Sequence, residues 1–277
     1  MDNLFLSPLE MSRAISDIGE KKASETLFEL LVFGVLAGIY IAFGAAVSTA
    51  VLSGGTLDVG LAKFLAGSVF SVGLILVLIL GSELFTGNIL MTIGLIYQKY
   101  SFTRVLRNWL VVYFGNLLGA MIIAWLVFNA GLLVSHGNLT PIGTAAVKIA
   151  ETKLQLGFTE ALCRGILCNM LVCLAVIMSI AAKTVMGKIM GIYFPIMTFV
   201  ASGYEHSVAN MYFLPAGLMA KGEFISGFFT IFNNLIPVTI GNIIGGLLIV
   251  LLHPKIEERI ARTLIRKTIN KNHQNQL

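Results

Sequence analysis

Two short polar stretches interrupt apolar sequence and hold most of the residues able to do chemistry there. The first is Gly81–Leu90, GSELFTGNIL, and the second is Ala201–Met211, ASGYEHSVANM. Each carries a glutamate followed five residues on by an asparagine, Glu83 with Asn88 and Glu205 with Asn210. Ionisable groups at membrane depth are costly and mark paths for ions or protons. Matching interruptions in two halves of a chain point to a transport site. Between them stand Thr86, a hydroxyl that donates or accepts, and His206, an imidazole whose unperturbed pKa is near neutrality. That pair suits hydrogen bonding to a small oxyanion, or handing it a proton.

Composition says what must position these groups. Hydrophobic residues make up 57% of the 277 and charged residues only 12%, about half the charge fraction of a soluble domain. Several apolar stretches reach the roughly 20 residues a bilayer crossing needs. The expected fold is therefore an all-α integral membrane protein. The first 25 residues are polar and lack the apolar core of a cleavable leader, so the first span should act as its own insertion signal. The excess positive charge lies in short segments between and beyond the apolar spans, which is the orientation pattern of membrane proteins and not a nucleic-acid footprint. Cys163, Cys168 and Cys173 recur every five residues, a turn of about 140° on a helix. They do not share a face, and neither a metal site nor a cofactor is expected.

Six spans are predicted. Residues 1–27 read as an amphipathic N-terminal segment, its helix starting at Ser7-Pro8 and lying on the membrane surface with Arg13, Lys21 and Lys22 outward. Spans come next at about 28–53, 62–97, 108–134, 158–182, 189–219 and 227–252, the second and fifth broken by the polar stretches into half-helices. Trp109 and Tyr113 are expected near one interface, and residues 135–157 as a polar connection. A basic tail occupies 253–277. Most of the 19 Lys and Arg fall on the side of both termini, which makes that side cytoplasmic.

The halves, about 28–134 and 158–252, read as an internal repeat. GVLAG at Gly34–Gly38 resembles GILCN at Gly165–Asn169, and GNLLG at Gly115–Gly119 resembles GNIIG at Gly241–Gly245. Three spans per half force the halves to be inverted, which places sites at the midplane. Half-helix N-termini meeting there present unpaired N–H groups to an anion. Glu83 and Glu205 are expected to turn away and accept backbone N–H groups freed by the breaks. Asn169 and Asn242, in small-residue contacts, either bridge helices or reach the pore.

GSELFTGNIL, RGILCNMLVCLAV (164–176), FVASGYEHSVANM (199–211) and NNLIPVTIGNIIGG (233–246) together resemble the formate/nitrite transporter family over essentially the whole chain. The resemblance implies an aquaporin-like protomer with broken second and fifth helices, assembled as a homopentamer in the lipid bilayer of the inner membrane. Each protomer would pass small monovalent anions such as formate, nitrite or hydrosulfide. By position, the family's central pair falls on Thr86 and His206. Its apolar constrictions fall on Leu74, Leu84 and Phe199 on one side and on Phe70, Val172 and Phe199 on the other. Its vestibule lysine matches Lys153, and its asparagines Asn169 and Asn242. The second-span motif reads FTGN where some formate channels have Ser-Thr after the threonine, so the motif does not single out formate.

On this reading Lys153 gathers anions, the apolar rings strip their water, and an unpartnered His206 stabilises or protonates them. The rival is an aquaporin-like pore for neutral solutes. Its paired Asn-Pro-Ala signatures are absent, and only Leu214-Pro215-Ala216 comes near. An ammonium channel needs a longer chain, and no enzyme signature is present.

Overall fold

The computed structural model describes residues 4–55 and 57–253; apart from His253, the basic tail expected at 253–277 lies outside the described residues. Helix α1, Pro8–Ser24, opens with a capping box in which Ser7 and Glu10 satisfy each other's backbone N–H groups. Thr26 and Glu29 repeat that device at α2, Leu27–Leu52. The chain continues through α3, Val59–Leu80, then a short α4, Phe85–Asn88, a 3-10 turn and α5, Thr92–Ile96. Helix α6, Phe102–Asn129, precedes a two-stranded hairpin, Val134–Ser135 with Asn138–Leu139. Helices α7, Pro141–Leu154, α8, Phe158–Ala181, α9, Val185–Ala201, and α10, Ser207–Lys221, come next. After the short α11, Phe224–Gly227, helix α12 runs Ile231–Leu251.

Among the described residues five helical stretches are long and apolar enough to cross a membrane: Leu27–Leu52, Val59–Leu80, Phe102–Asn129, Phe158–Ala181 and Phe224–Leu251. The segment expected as span five is instead two shorter helices, α9 and α10. The segment expected as span two is also divided unevenly: α3 alone has spanning length, and residues 85–96 form only short helical turns. Each division has a glycine in the left-handed region, Gly81 at φ 78° and Gly203 at φ 74°. A side chain there would be strained, and glycine lets the helix stop abruptly.

Packing mirrors the repeat. Helix α2 lies against α6, and α8 against α12. Both joints close backbone to backbone: a Cβ on Gly119 would collide with the Val35 carbonyl oxygen, and one on Gly245 with that of Ile166. Small residues let helices approach this closely where no hydrophobic drive separates helix from lipid.

Three expectations are refined. The polar connection at 135–157 is structured: a hairpin leads into α7, which Thr140 caps and Pro141 opens at the first position. Trp109 is buried in the protein, where its indole N–H donates to the Asn88 carbonyl at 2.9 Å. Helix α1 docks on protein, with Arg13 and Lys21 exposed as expected and Lys22 turned inward. Lys22 pairs with Glu83, Lys99 reaches Glu20 at 3.0 Å, and Arg107 Nη2 donates to the Ala23 and Glu25 carbonyls at 3.0 and 2.7 Å. The preceding residues hold on too, with Leu6 N–H donating to the Ala181 carbonyl.

Candidate functional site

The two breaks are built alike, atom for atom. At the first, the Asn116 amide donates to the Gly34 and Glu83 carbonyls at 2.8 and 2.9 Å and accepts from the Phe85 N–H at 3.0 Å. At the second, Asn242 donates to the Gly165 and Glu205 carbonyls at 2.8 and 3.0 Å and accepts from the Ser207 N–H at 2.9 Å. Asn88 donates to Glu83 Oε2 and to Asn108 Oδ1; Asn210 donates to Glu205 Oε2 and to Asn234 Oδ1. The glutamates end on lysines, Lys22 for Glu83 and Lys153, at 2.8 Å, for Glu205.

This corrects the expected role of the glutamates. Their carboxylates take side-chain amides and an ammonium, and the freed backbone is satisfied by asparagines. Both acids are buried, where an unpaired charge is expensive and a pair with further hydrogen bonds is tolerated. The first N–H groups of α4 and α10 are likewise taken by asparagine side chains and are not left open. Sequence reasoning missed Lys22, Asn108 and Asn234. It took Lys22 for a surface group, 61 residues from the Glu83 it pairs with.

Inside this frame Thr86 Oγ1 and His206 Nε2 lie 2.8 Å apart, both buried. His206 precedes α10 and its Nδ1 accepts the Ala209 N–H at 3.1 Å. The imidazole therefore has partners on both nitrogens, against the expectation of an unpartnered ring. A backbone N–H can only donate, so the proton of the neutral ring sits on Nε2 and points at Thr86. Asn169 donates to the Thr86 carbonyl at 3.2 Å and the Asn242 carbonyl at 2.6 Å, tying the first break to α8 and α12.

Phe70, Leu74, Leu84, Val172 and Phe199 all belong to one continuous buried cluster. Phe199 lies 5.8 Å from the His206 ring and meets Phe70 edge-on at 5.6 Å; Phe70 stacks on Phe213, over which Lys153 Nζ sits at 5.2 Å. Leu84 borders a cavity of about 470 Å³ on the α1 side.

A model of the formate/nitrite transporter family matches residues 9–255. The chain belongs to that family. It is 42% identical over 270 residues to a probable formate transporter of Methanothermobacter thermautotrophicus, covering 90% of this chain and 96% of that protein. It is 36% identical over 270 residues to the formate channel FocA of Escherichia coli strain K12, covering 90% and 94%. Among solved structures it resembles a pentameric formate channel with formate bound (35% identity, TM-score 0.68, covering 80% of this chain and 93% of that one). It also resembles an FNT family ion channel (28% identity, TM-score 0.77, covering 88% and 96%). These relatives are channels and transporters, not enzymes, and this family member is a multi-pass membrane protein.

The family frame throws the departures from symmetry into relief. Matching Glu83 to Glu205 puts Leu84 opposite His206, each the residue that precedes a restarted helix, and Thr86 opposite Val208. The polar frame is duplicated. The centre is not.

Proposed function

We propose that this chain forms a homopentameric channel in the inner membrane, one pore per protomer, for small monovalent anions of weak acids. Formate is the first candidate, with nitrite and hydrosulfide alongside. The segments on either side of each break act as one crossing, giving six, with inverted halves at about 28–134 and 158–252 and both termini cytoplasmic. The observation that carries the reading is the buried Thr86–His206 contact, two hydrogen-bonding side chains enclosed by apolar residues.

Lys153 draws an anion towards the aromatic side, where Phe70, Phe199 and Val172 narrow the path; Leu74, Leu84 and Phe199 narrow it on the α1 side. Stripping water from a formal charge is expensive, and the centre offsets that cost with hydrogen bonds. His206 acts as a neutral donor from Nε2. Thr86 accepts that bond at rest, and its own hydroxyl proton is available to an arriving oxyanion. Charging the ring would put a proton on Nδ1 and break the Ala209 contact, so stabilising the anion is favoured over protonating it. Asn169 and Asn242 hold the geometry.

Flux into liposomes tests this, with formate, nitrite, hydrosulfide, glycerol and ammonium offered in parallel to wild type and His206→Phe. Anion flux in wild type that collapses in the variant is expected. Glycerol flux without anion flux would replace the reading with a neutral-solute pore.

A further inference from the structure

The cavity on the α1 side contains a carboxyl that the frame does not use. Its walls include Lys21, Lys22 and Glu25 from the N-terminal stretch, Glu83 at the first break, and Lys188 of α9. Lys22 is committed to Glu83. Glu25 is committed to nothing: its Oε2 is buried without a hydrogen-bond partner among the described residues. Only its main-chain carbonyl is held, by Arg107. The residue links α1 to α2, outside the first span.

The charges around it come from each element that packs there. Glu83 and Glu29 repel a negative Glu25, Lys22 and Lys21 attract it, Lys188 shares the cavity, and Arg107 holds its carbonyl. Burial is the largest influence and raises the carboxyl's pKa above the ordinary glutamate value; the Glu83 charge adds to this, and the two lysines oppose it. Three lysines against Glu25 and Glu83 leave one net positive charge on the cavity wall. Neutralising Glu25 leaves two.

We infer that Glu25 sets how readily a monovalent anion enters from the α1 side. Ionised, it repels the anion and competes for Lys22; protonated, it leaves the wall more positive and admits the anion. This rests on the anion-channel reading above. Admission therefore rises as the pH on the α1 side falls through the raised pKa of Glu25, and it is restricted above it.

The test is formate flux into proteoliposomes with the pH set on the α1 face, for wild type, Glu25→Gln and Glu25→Ala. Each variant is first checked for wild-type elution in detergent. The ratio of Glu25→Gln to wild-type flux should be about threefold or more near pH ~7.5 and fall towards one as the pH is lowered through the titration of Glu25. It should also shrink as salt is raised, since screening acts on a charge and not on packing. Glu25→Ala should behave as Glu25→Gln does. A ratio flat in pH, or indifferent to salt, overturns the inference while leaving the channel reading intact. Wild type with no formate flux above empty vesicles at any pH overturns the channel reading, and this inference with it.

Discussion

Asn116 and Asn242 make the same three hydrogen bonds in the two halves, each closing one break with two donated bonds and one accepted. Replacing either with alanine takes the asparagine from one break carbonyl and one N–H in a dry interior, while the Gly34 or Gly165 carbonyl, inside its helix, keeps its helical partner. A buried polar group without a partner costs about 1–3 kcal/mol, and membrane interiors return part of that by rearrangement. Asn116→Ala and Asn242→Ala should each lose about 2 kcal/mol or more in unfolding by SDS from mixed micelles. A change in one variant with none in the other would break the equivalence of the halves.

Lys153 has two candidate jobs, neutralising Glu205 and drawing anions, and they separate in a double variant. The side chains are 14% and 4% exposed, so Lys153→Ala strands a buried carboxylate, a loss of about 3–5 kcal/mol. Lys153→Ala with Glu205→Gln should recover most of that stability and still show depressed formate flux. Full recovery of flux would reduce the lysine to a counter-ion.

His206→Asn keeps a donor near Thr86 without a titratable ring. Because the Ala209 N–H occupies Nδ1, the proposed channel uses the histidine as a fixed donor. Flux through His206→Asn should persist at reduced rate with the wild-type dependence on pH, whereas His206→Phe should carry none. A pH profile that changes in His206→Asn would restore a proton relay at this residue.

Leu84 lines the α1-side cavity, and on the proposed reading Leu84→Ala widens the path there. The shorter side chain admits water and lowers the dehydration cost, so anion flux should rise several-fold and discrimination among anions should fall. Unchanged flux and selectivity in a folded Leu84→Ala protein would remove the residue from the path.

Much of this site could be read from the chain, for a physical reason. The breaks show because polar residues cannot lie at random in a membrane-length apolar run, and the repeat shows because helix joints demand small residues at fixed spacing. The partners of the breaks did not show. Lys22 lies 61 residues from Glu83 and Asn234 lies 24 from Asn210, and no local pattern links residues so far apart. The bond from Trp109 to the Asn88 carbonyl spans 21 residues and has no local pattern either. Helix α7 lay inside a stretch taken whole as a connection, although Thr140-Pro141 is a helix start signal.

The duplicated frame and the unduplicated centre have a consequence for how such a protein changes over time. The residues that hold the breaks shut, Glu83, Asn88, Asn108 and Asn116 with their counterparts, are interlocked, so altering one strands several others. Leu84, Thr86, His206 and Val208 carry none of that network; Leu84 precedes α4 with no side-chain cap, whereas His206 caps α10 through the Ala209 N–H. On the proposed channel reading, these four positions can be altered while the interlocked frame around them keeps every one of its partners.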